Sequence, residues 1–447
     1  MLPLVEIPEI VCHYESFFTS VFSADALAQF KRYVSGLILS ENKTVDGINR
    51  LFVLDKRNQS SLNRLLTDSP FSVEALHQAR LAMLSSLPGT ALKRKGVLSI
   101  DDTLLSHYGQ HFEKIAQLYD SAQGCYVWAH NLVDLHYSDD STDYPIDFTL
   151  WEPVEVAPLE EGLKAAGISL RASKYALKES DPKKWRTYLL GVWRRHQHKA
   201  KVQQIYQSKL LLAQQLLTRF CTGHPTCALP VTFDIWYTQP AFCRFLDKTL
   251  HMAYVGTLAG DTPVKLTSGK GPIFKKISIT YKGDKETYYS YCKTHRMPNF
   301  GKQRLVINHQ KADLSDSPTF FISNRLNWQA GGITRIRRHR WPVEVYHEEG
   351  KADGLDQYQV RDFEAIKKHI ALVAVAYSLL RAAQHDEDLL HTLQQNIEMK
   401  LGGSAGTWRR NTQAQALWAL ATFIATALAQ EQPLRDIMPP LLATLSY

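Results

Sequence analysis

The stretch that decides the fold reads KGVLSIDDTLL at residues 95–105, where an apolar run leads into two adjacent aspartates. A short apolar run of this kind is typical of a strand that is buried on both faces. Polar residues at the carboxyl end of such a strand face the crevice where α/β proteins bind ligands. Asp101 and Asp102 are therefore candidate active-site acids.

A second stretch repeats this pattern further along the chain. The sequence reads LPVTFDIWYTQP at residues 229–240, and Asp234 follows its apolar run. Taken alone, an aspartate at the end of a strand is often only a helix cap or a turn residue. Acids at the ends of two such strands, with a third on a late helix, together predict an active site.

The third acid is Glu344, on a predicted helix that begins just after a basic run in RIRRHRWPVEVYHEEGKADGLDQYQVRDFEAIKK, residues 335–368. Arg340, Glu344 and Lys351 take relative positions 0, 4 and 11, which share one helix face. The basic run consists of Arg335, Arg337, Arg338 and Arg340. A carboxylate among these cations is suited to bind a metal ion next to a DNA phosphate. An acid and a base at i, i+4 are, however, also an ordinary ion pair on a helix surface.

With its three acids, the chain resembles the DDE transposases of bacterial insertion sequences, in the RNase H-like integrase superfamily. Arg340, Glu344 and Lys351 match the last three letters of the block Y-(2)-R-(3)-E-(6)-K that marks one branch, but Arg337 stands where that branch has tyrosine. The resemblance continues through KADGLDQYQVRDFEAIKKHIALVAVAYSLL and an amino-terminal piece, LSENKTVDGINRLFV…NQSSLNRLLTDSPFSVEAL. It covers roughly residues 30–380.

The resemblance implies an α/β fold, with an RNase H-like mixed sheet flanked by helices. Strand patterns at residues 97–101, 125–138 and 144–153 are followed by a helix, the strand of Asp234, a fifth strand at 318–325 and the Glu344 helix. This is the order of an RNase H-like core.

Five regions are expected along the chain. They are a helical DNA-binding region (1–92), the first part of the catalytic core (93–251), a β-rich insertion (252–315), the second part of the core (316–384) and a helical carboxyl-terminal region (385–447). The insertion is indicated by VKLTSG, KKISITYKG and QRLVINHQ. The amino-terminal region either reads DNA like a helix-turn-helix or only caps the core. Its candidate DNA-reading residues are Lys43, Arg50, Arg57, Asn58, Gln59, Ser61, Asn63 and Arg64.

The resemblance assigns catalysis to Asp101, Asp234 and Glu344, which would hold two Mg²⁺ ions, with Mn²⁺ as a substitute. Adjacent strand residues point to opposite faces, so Asp101 and Asp102 cannot both be ligands of one ion. Asp101 is favoured because D-x-[ST] after an apolar strand is the commoner form in the superfamily, and Asp102 is the alternative. Arg340 and Lys351 would contact the DNA end, and Trp341 is expected to pack in the core.

The implied function is binding of the element's ends, metal-dependent cleavage of double-stranded DNA and joining of the 3′-hydroxyl ends to target DNA by a homodimer. Two alternatives stay open. A structure-selective nuclease on the same fold would share the three acids. A non-catalytic or domesticated sequence-specific DNA-binding protein would keep them for structural reasons only.

Charge and composition are compatible with this function. The 447 residues carry a net charge of +8, with 45% hydrophobic and 21% charged residues, as in an ordinary globular protein. A second basic cluster with Trp185 and Trp193 suits a nucleic-acid surface, or else a solvated helix packed by its tryptophans. Its predicted DNA-binding residues are Lys183, Lys184, Arg194 and Arg195.

The expected location is the bacterial cytoplasm, on the nucleoid. Six scattered cysteines without a paired framework indicate a reducing compartment, and acidic residues interrupt the start where a signal peptide would lie. The longest apolar run, at residues 370–380, is too short to span a bilayer.

Overall fold

A computed structural model describes residues 2–260, 262, 272–395, 397–399 and 402–442 of the chain. Within these residues, ten strands form one mixed sheet with helices on both faces. The strands are β1 (Val97–His107), β2 (Ala116–Asp120), β3 (Cys125–Ser138), β4 (Asp143–Trp151), β5 (Val231–Phe233), β6 (Tyr254–Leu258), β7 (Lys275–Tyr281), β8 (Asp284–Met297), β9 (Gly301–His309) and β10 (Thr319–Ser323). The predicted α/β class is confirmed.

Five of these strands have the order and directions of an RNase H-like core. β3 lies between β1 and β4 and pairs antiparallel with both. On the other side of β1, β5 pairs parallel with β1 and with β6. The short β2 pairs with the first part of β3. An antiparallel meander followed by two parallel strands confirms the predicted RNase H-like sheet.

The fifth core strand differs from the prediction. β6 takes the place beside β5, and β10, which was predicted for that place, pairs antiparallel with β6 instead. β9, β8 and β7 then extend the same sheet in antiparallel order. The five residues of β6 were missed because the strand is short and has Gly256 at its centre. The predicted strand signal VKLTSG lies outside the described residues.

The helices within the described residues cover both faces of this sheet. They are α1 (Glu9–His13), α2 (Ala24–Leu39), α3 (Val45–Arg50), α4 (Gln59–Thr67), α5 (Val73–Ser86), α6 (Val156–Ala165), α7 (Leu177–Ser180), α8 (Pro182–His196), α9 (Ala200–Gln203), α10 (Lys209–Gly223), α11 (Pro240–Lys248), α12 (Ala330–Arg338), α13 (Trp341–Ala352), α14 (Phe363–Ala383), α15 (Glu387–Gln394), α16 (Ala405–Ala429) and α17 (Leu434–Leu442). α10 packs on one face of β3 and β4, and α13 and α14 pack on the other.

The amino-terminal helices pack on α14, which is therefore buried nearly all round. Among their contacts, the Tyr33 hydroxyl lies 2.8 Å from Nδ1 of His369. Lys43, one of the predicted DNA-reading residues, is 4% exposed and donates its ammonium group to the Leu37 carbonyl. This interpretation of Lys43 is therefore wrong, whereas Asn63 and Arg64 lie on the exposed face of α4.

A separate helical unit, α6 to α9, lies in the chain between β4 and α10. It has a small apolar core of its own, built around Leu163, Trp185, Leu189 and Trp193. The carboxyl-terminal segment is helical in α15, α16 and α17, as its composition predicts. Over the part of the chain that the structure describes, no helix combines the length and the apolar character needed to cross a bilayer.

Candidate active site

Asp101 lies on β1, and Asp234 directly follows β5, the parallel strand beside it. β1 and β5 pair Ile100 with Phe233, so the two aspartates are the next residues in the same register. Asp234 directly follows the last residue of β5, as predicted. Asp101, in contrast, lies inside β1, because β3 pairs with β1 along its whole length as far as His107.

Burial and mutual repulsion shape the ionisation of this pair. Burial raises the pKa of Asp101 to about 7, against the opposing attraction of Arg340 and with a further contribution from Asp234. Burial also raises the pKa of Asp234, and a hydrogen bond from the Tyr237 amide, 3.2 Å from Oδ1, opposes that rise. Two partly buried carboxylates that repel each other favour a cation at this position.

Arg340 links the first acid to the third. Its Nη1 donates to Oδ2 of Asp101 at 2.5 Å, and its Nη2 donates to Oε1 of Glu344. Arg340 directly precedes α13, Pro342 occupies the first turn, and Glu344 lies in that turn near the positive end of the helix dipole. The predicted helix after the basic run is thus confirmed, and it brings Glu344 to the face of β1 that carries Asp101.

Asp102 points to the opposite face of β1 and accepts three hydrogen bonds. Its Oδ1 accepts from the Tyr237 hydroxyl at 2.9 Å. Its Oδ2 accepts from Nδ2 of Asn131 at 2.7 Å and from Nζ of Lys209 at 2.8 Å. Both oxygens of Asp102 are therefore already engaged. Sequence reasoning missed its three partners, and the only local signal was the position of Tyr237, three residues after Asp234.

The chemistry of the three acids fits a hard divalent ion, because carboxylate oxygens are the ligands that Mg²⁺ prefers. Among the described residues, no three Asp, Glu, His or Cys side chains are grouped closely enough to hold an ion. The guanidinium group of Arg340 supplies positive charge between Asp101 and Glu344 instead.

A groove of about 530 Å³ opens beside Asp102. Lys209 and Lys351 contribute two positive charges to its lining, together with Tyr119 and Trp151. Lys351 lies in the last turn of α13. Lys351, the predicted DNA contact, therefore borders the groove beside Asp102.

The predicted arginine cluster divides into two pairs. Arg335 donates to Oδ2 of Asp140 at 2.8 Å. Arg338 donates from Nε and Nη2 to the two carboxylate oxygens of Glu286, so both arginines form ion pairs within the chain. Arg337 donates to Oγ1 of Thr257 at 2.8 Å. Burial and the neighbouring Arg340 lower the pKa of Arg337 to about 10, and Asp101 and Asp234 oppose this shift. Arg337 and Arg340 are thus the pair that lies beside the acids.

The second basic cluster lies on α8, which packs against α6, α7 and α9. Its predicted DNA-binding side chains, Lys183, Lys184, Arg194 and Arg195, are exposed. Trp185 and Trp193 are only 1% and 2% exposed. The expectation that these aromatic rings share the basic surface is therefore wrong, because they form the core of the helical unit.

Two other tryptophans are exposed next to the acids. Trp236, two residues after Asp234, is 42% exposed, with Nζ of Lys209 4.5 Å from the centre of its ring. Trp341, next to Arg340, is 54% exposed. The expected core packing of Trp341 is wrong, because the first turn of α13 turns this side chain to solvent.

Comparison with known proteins places these residues in a family. The family described as "DDE superfamily endonuclease" matches residues 16–295, which include Asp101 and Asp234 and end before Glu344. A comparison with curated proteins gives no match. The family match spans more than half of the chain, and the sheet order and the paired aspartates agree with it. The chain belongs to the DDE superfamily endonucleases.

Proposed function

We propose that this endonuclease is a transposase that binds the ends of an insertion sequence, cleaves them hydrolytically and joins the freed 3′-hydroxyl groups to target DNA. The observation that carries the proposal is that Asp101 and Asp234 directly follow Ile100 and Phe233, the last paired residues of β1 and β5, with Glu344 linked to the first acid through Arg340. DNA is the substrate that the family description implies.

Asp101, Asp234 and Glu344 would together hold the divalent ions, which we take to be two Mg²⁺ that Mn²⁺ can replace. When bound, such ions supply a nucleophilic water at neutral pH and stabilise the leaving oxygen. Arg340, which donates to Asp101 and Glu344, would release at least one of these carboxylates to the ions. Its guanidinium group is suited to bind a DNA phosphate through two parallel hydrogen bonds.

Asp102 has a positioning role in this proposal. Its bonds to Lys209 and Tyr237 join β1 to α10 and to the turn after Asp234. Because that turn also carries Asp234, these bonds hold the two acid-bearing segments together.

Partly exposed cations and exposed aromatic rings near the acids would receive the DNA end. Lys351 offers a point charge to a phosphate in the groove. Trp236 and Trp341 offer ring faces on which an unpaired base can stack. Arg337 replaces the tyrosine of the related branch and adds positive charge beside the acids. Joining two ends requires two copies of the chain, so the working form would be a homodimer on DNA of the bacterial nucleoid.

The direct test is a reaction of end-labelled duplexes that carry the element's ends with a supercoiled target plasmid in Mg²⁺. We expect cleavage at the ends and joined products with the wild type, and neither with Glu344→Gln. Glu348→Gln is the matched control, because Glu348 is exposed one turn further along α13.

The same reaction separates the alternatives. Nicking that does not depend on the end sequence and gives no joined product would show that the protein is a structure-selective nuclease and not a transposase. Specific binding of the ends without cleavage in Mg²⁺ or Mn²⁺ would show that the protein is a DNA-binding regulator.

A further inference from the structure

The positive charge of this chain is concentrated in one segment. Residues 156–208 contain eleven Lys and Arg against four Asp and Glu, a net charge of +7, whereas the whole chain carries +8. The segment corresponds to the helical unit α6 to α9 and is called the basic module below. The rest of the chain, including the catalytic core, is therefore close to neutral.

The fold of the basic module does not depend on these charges. α8 begins at Pro182 with Asp181 as its cap, and the face that carries Trp185, Leu189 and Trp193 is buried. The cations lie on the rest of the helix. Because a separate apolar core holds the helices together, the exposed charges are free for another role.

The cations of α8 form two parallel rows. Lys183 and Arg194 are eleven residues apart, as are Lys184 and Arg195, so each pair shares a helix face. Eleven residues span about 16 Å along a helix. A face of this length can meet several phosphates of one duplex at once.

The acids of the module neutralise only one cation of these rows, Lys184. Glu160 is engaged by Lys164 and Lys178, and Asp181 by Lys184. Across the described part of the chain, Lys183, Arg194 and Arg195 form no ion pair. Like charges held on one solvated helix repel each other, which an anionic polymer would relieve.

The module adjoins the groove beside Asp102. Trp151, which lines that groove, donates from Nε1 to the Tyr206 hydroxyl of the module at 3.0 Å. Lys209, the residue directly after the short loop that closes the module, bonds to Asp102. A duplex that leaves the groove on this side therefore meets the basic module next.

We propose that the basic module is a second DNA-binding surface, which binds the phosphate backbone of the DNA duplex that flanks the cleavage site. The inference rests on the proposed function. α8 has no Asn or Gln, and both of its tryptophans are buried, so its exposed lysines and arginines suit contacts to phosphates, which do not depend on base sequence. The module therefore adds affinity and orientation, and base recognition lies elsewhere.

The test is fluorescence anisotropy with a duplex of arbitrary sequence, in EDTA so that no cleavage occurs, over a series of salt concentrations. The variant is Lys183→Ala, Lys184→Ala, Arg194→Ala and Arg195→Ala combined. The control removes the same charge from exposed lysines of the sheet extension. It combines Lys276→Ala, Lys285→Ala, Lys302→Ala and Lys311→Ala.

We expect the α8 variant to flatten the slope of log affinity against log salt by up to about 3.6, since each lost phosphate contact removes about 0.9. Its affinity at low salt should fall about tenfold or more, because four charge-assisted phosphate contacts are lost. The control should change the slope much less. Equal losses in the two variants, or no loss in the α8 variant, would overturn the inference. Matching thermal unfolding of all three proteins excludes misfolding as the cause.

The two proposals fail in different ways. If the wild type cleaves DNA while the α8 variant binds as tightly as the wild type, the module is not a DNA-binding surface and the proposed function stands. If the wild type binds duplex through α8 but never cleaves it, the inference stands and the catalytic proposal falls.

Discussion

At the scale of single residues, the two adjacent aspartates of β1 have different surroundings. Asp101 faces Arg340 and the helix of Glu344, whereas Asp102 is saturated by hydrogen bonds on the other face. The geometry gives a reason to keep Asp101 as the proposed metal ligand, and this preference stays a prediction. It also gives Asp102 a task that no sequence pattern indicated.

Replacing each aspartate by asparagine should separate the two roles. Asp101→Asn should abolish metal-dependent cleavage and leave stability nearly unchanged, because this carboxyl is costly to bury as a charge. Asp102→Asn should lower the free energy of unfolding by about 1–3 kcal/mol, because Lys209 and Tyr237 lose a charged acceptor, and should retain cleavage. Urea unfolding and a cleavage assay on both variants provide the measurement. Loss of cleavage in Asp102→Asn alone would make Asp102 the metal ligand.

Local sequence explains why the acids could be predicted and their partners could not. The aspartates follow apolar runs whose strand character is readable over a few residues. Tyr237 and Lys209 lie 135 and 107 positions from Asp102, so their bonds depend on the complete fold. Likewise, the exposure of Trp341 depends on where the first turn of α13 meets the sheet.

At the scale of elements, β6 holds β5 in place and was the one core strand that the sequence did not reveal. Gly256 of β6 pairs with Phe233, the residue before Asp234. A Cβ atom at Gly256 would lie 2.7 Å from Cε2 of Phe233 and 2.8 Å from Oγ1 of Thr238. The absence of a side chain therefore sets the position of the segment that carries the second acid.

Gly256→Ala should for this reason damage both stability and catalysis. We expect the free energy of unfolding to fall by about 1–3 kcal/mol, the usual cost of overpacking, and cleavage to fall because Asp234 shifts with Phe233. Gly260→Ala is the matched control, since its Cβ would meet Phe320 at an ordinary 3.8 Å. Chemical denaturation and the cleavage assay measure both effects. A Gly256→Ala protein as stable and active as the control would show that β6 tolerates the methyl group.

At the scale of the whole molecule, a buried ion cluster joins the sheet to the helices behind it. Asp143 of β4 accepts from the Tyr377 hydroxyl at 2.7 Å and from Nη2 of Arg381 at 3.1 Å, both on α14. Lys282 and His136 also face this carboxylate. The cations, chiefly Arg381, hold the pKa of Asp143 well below its usual range despite burial.

The contribution of Asp143 to stability should therefore depend on pH. A depressed pKa in the folded state stabilises the protein above the unfolded pKa of about 4, and this contribution is lost as the pH falls further. At pH 7, Asp143→Asn should cost about 3–5 kcal/mol, because it leaves buried cations without their partner. The difference in unfolding free energy between wild type and variant should shrink below about pH 4. A difference that stays constant down to pH 3 would contradict this role.

The whole-molecule architecture was predictable in outline because strands and helices each give a characteristic spacing of apolar residues in the sequence. The amino-terminal helices, the core and the carboxyl-terminal helices all follow that outline. The basic module was seen only as a run of charges with tryptophans, since local patterns do not tell a buried ring from an exposed one. Burial of Trp185 and Trp193 required the other three helices of the module.

The most direct test of the central claim is cleavage of a labelled DNA duplex with and without Mg²⁺ by the wild type, Asp234→Asn and Asp284→Asn. Asp284 is an exposed residue at the start of β8 and serves as the control for the substitution itself. We predict that the wild type and Asp284→Asn cleave only with the metal and that Asp234→Asn gives no product. Equal cleavage by Asp234→Asn and the wild type would remove the paired aspartates from the mechanism.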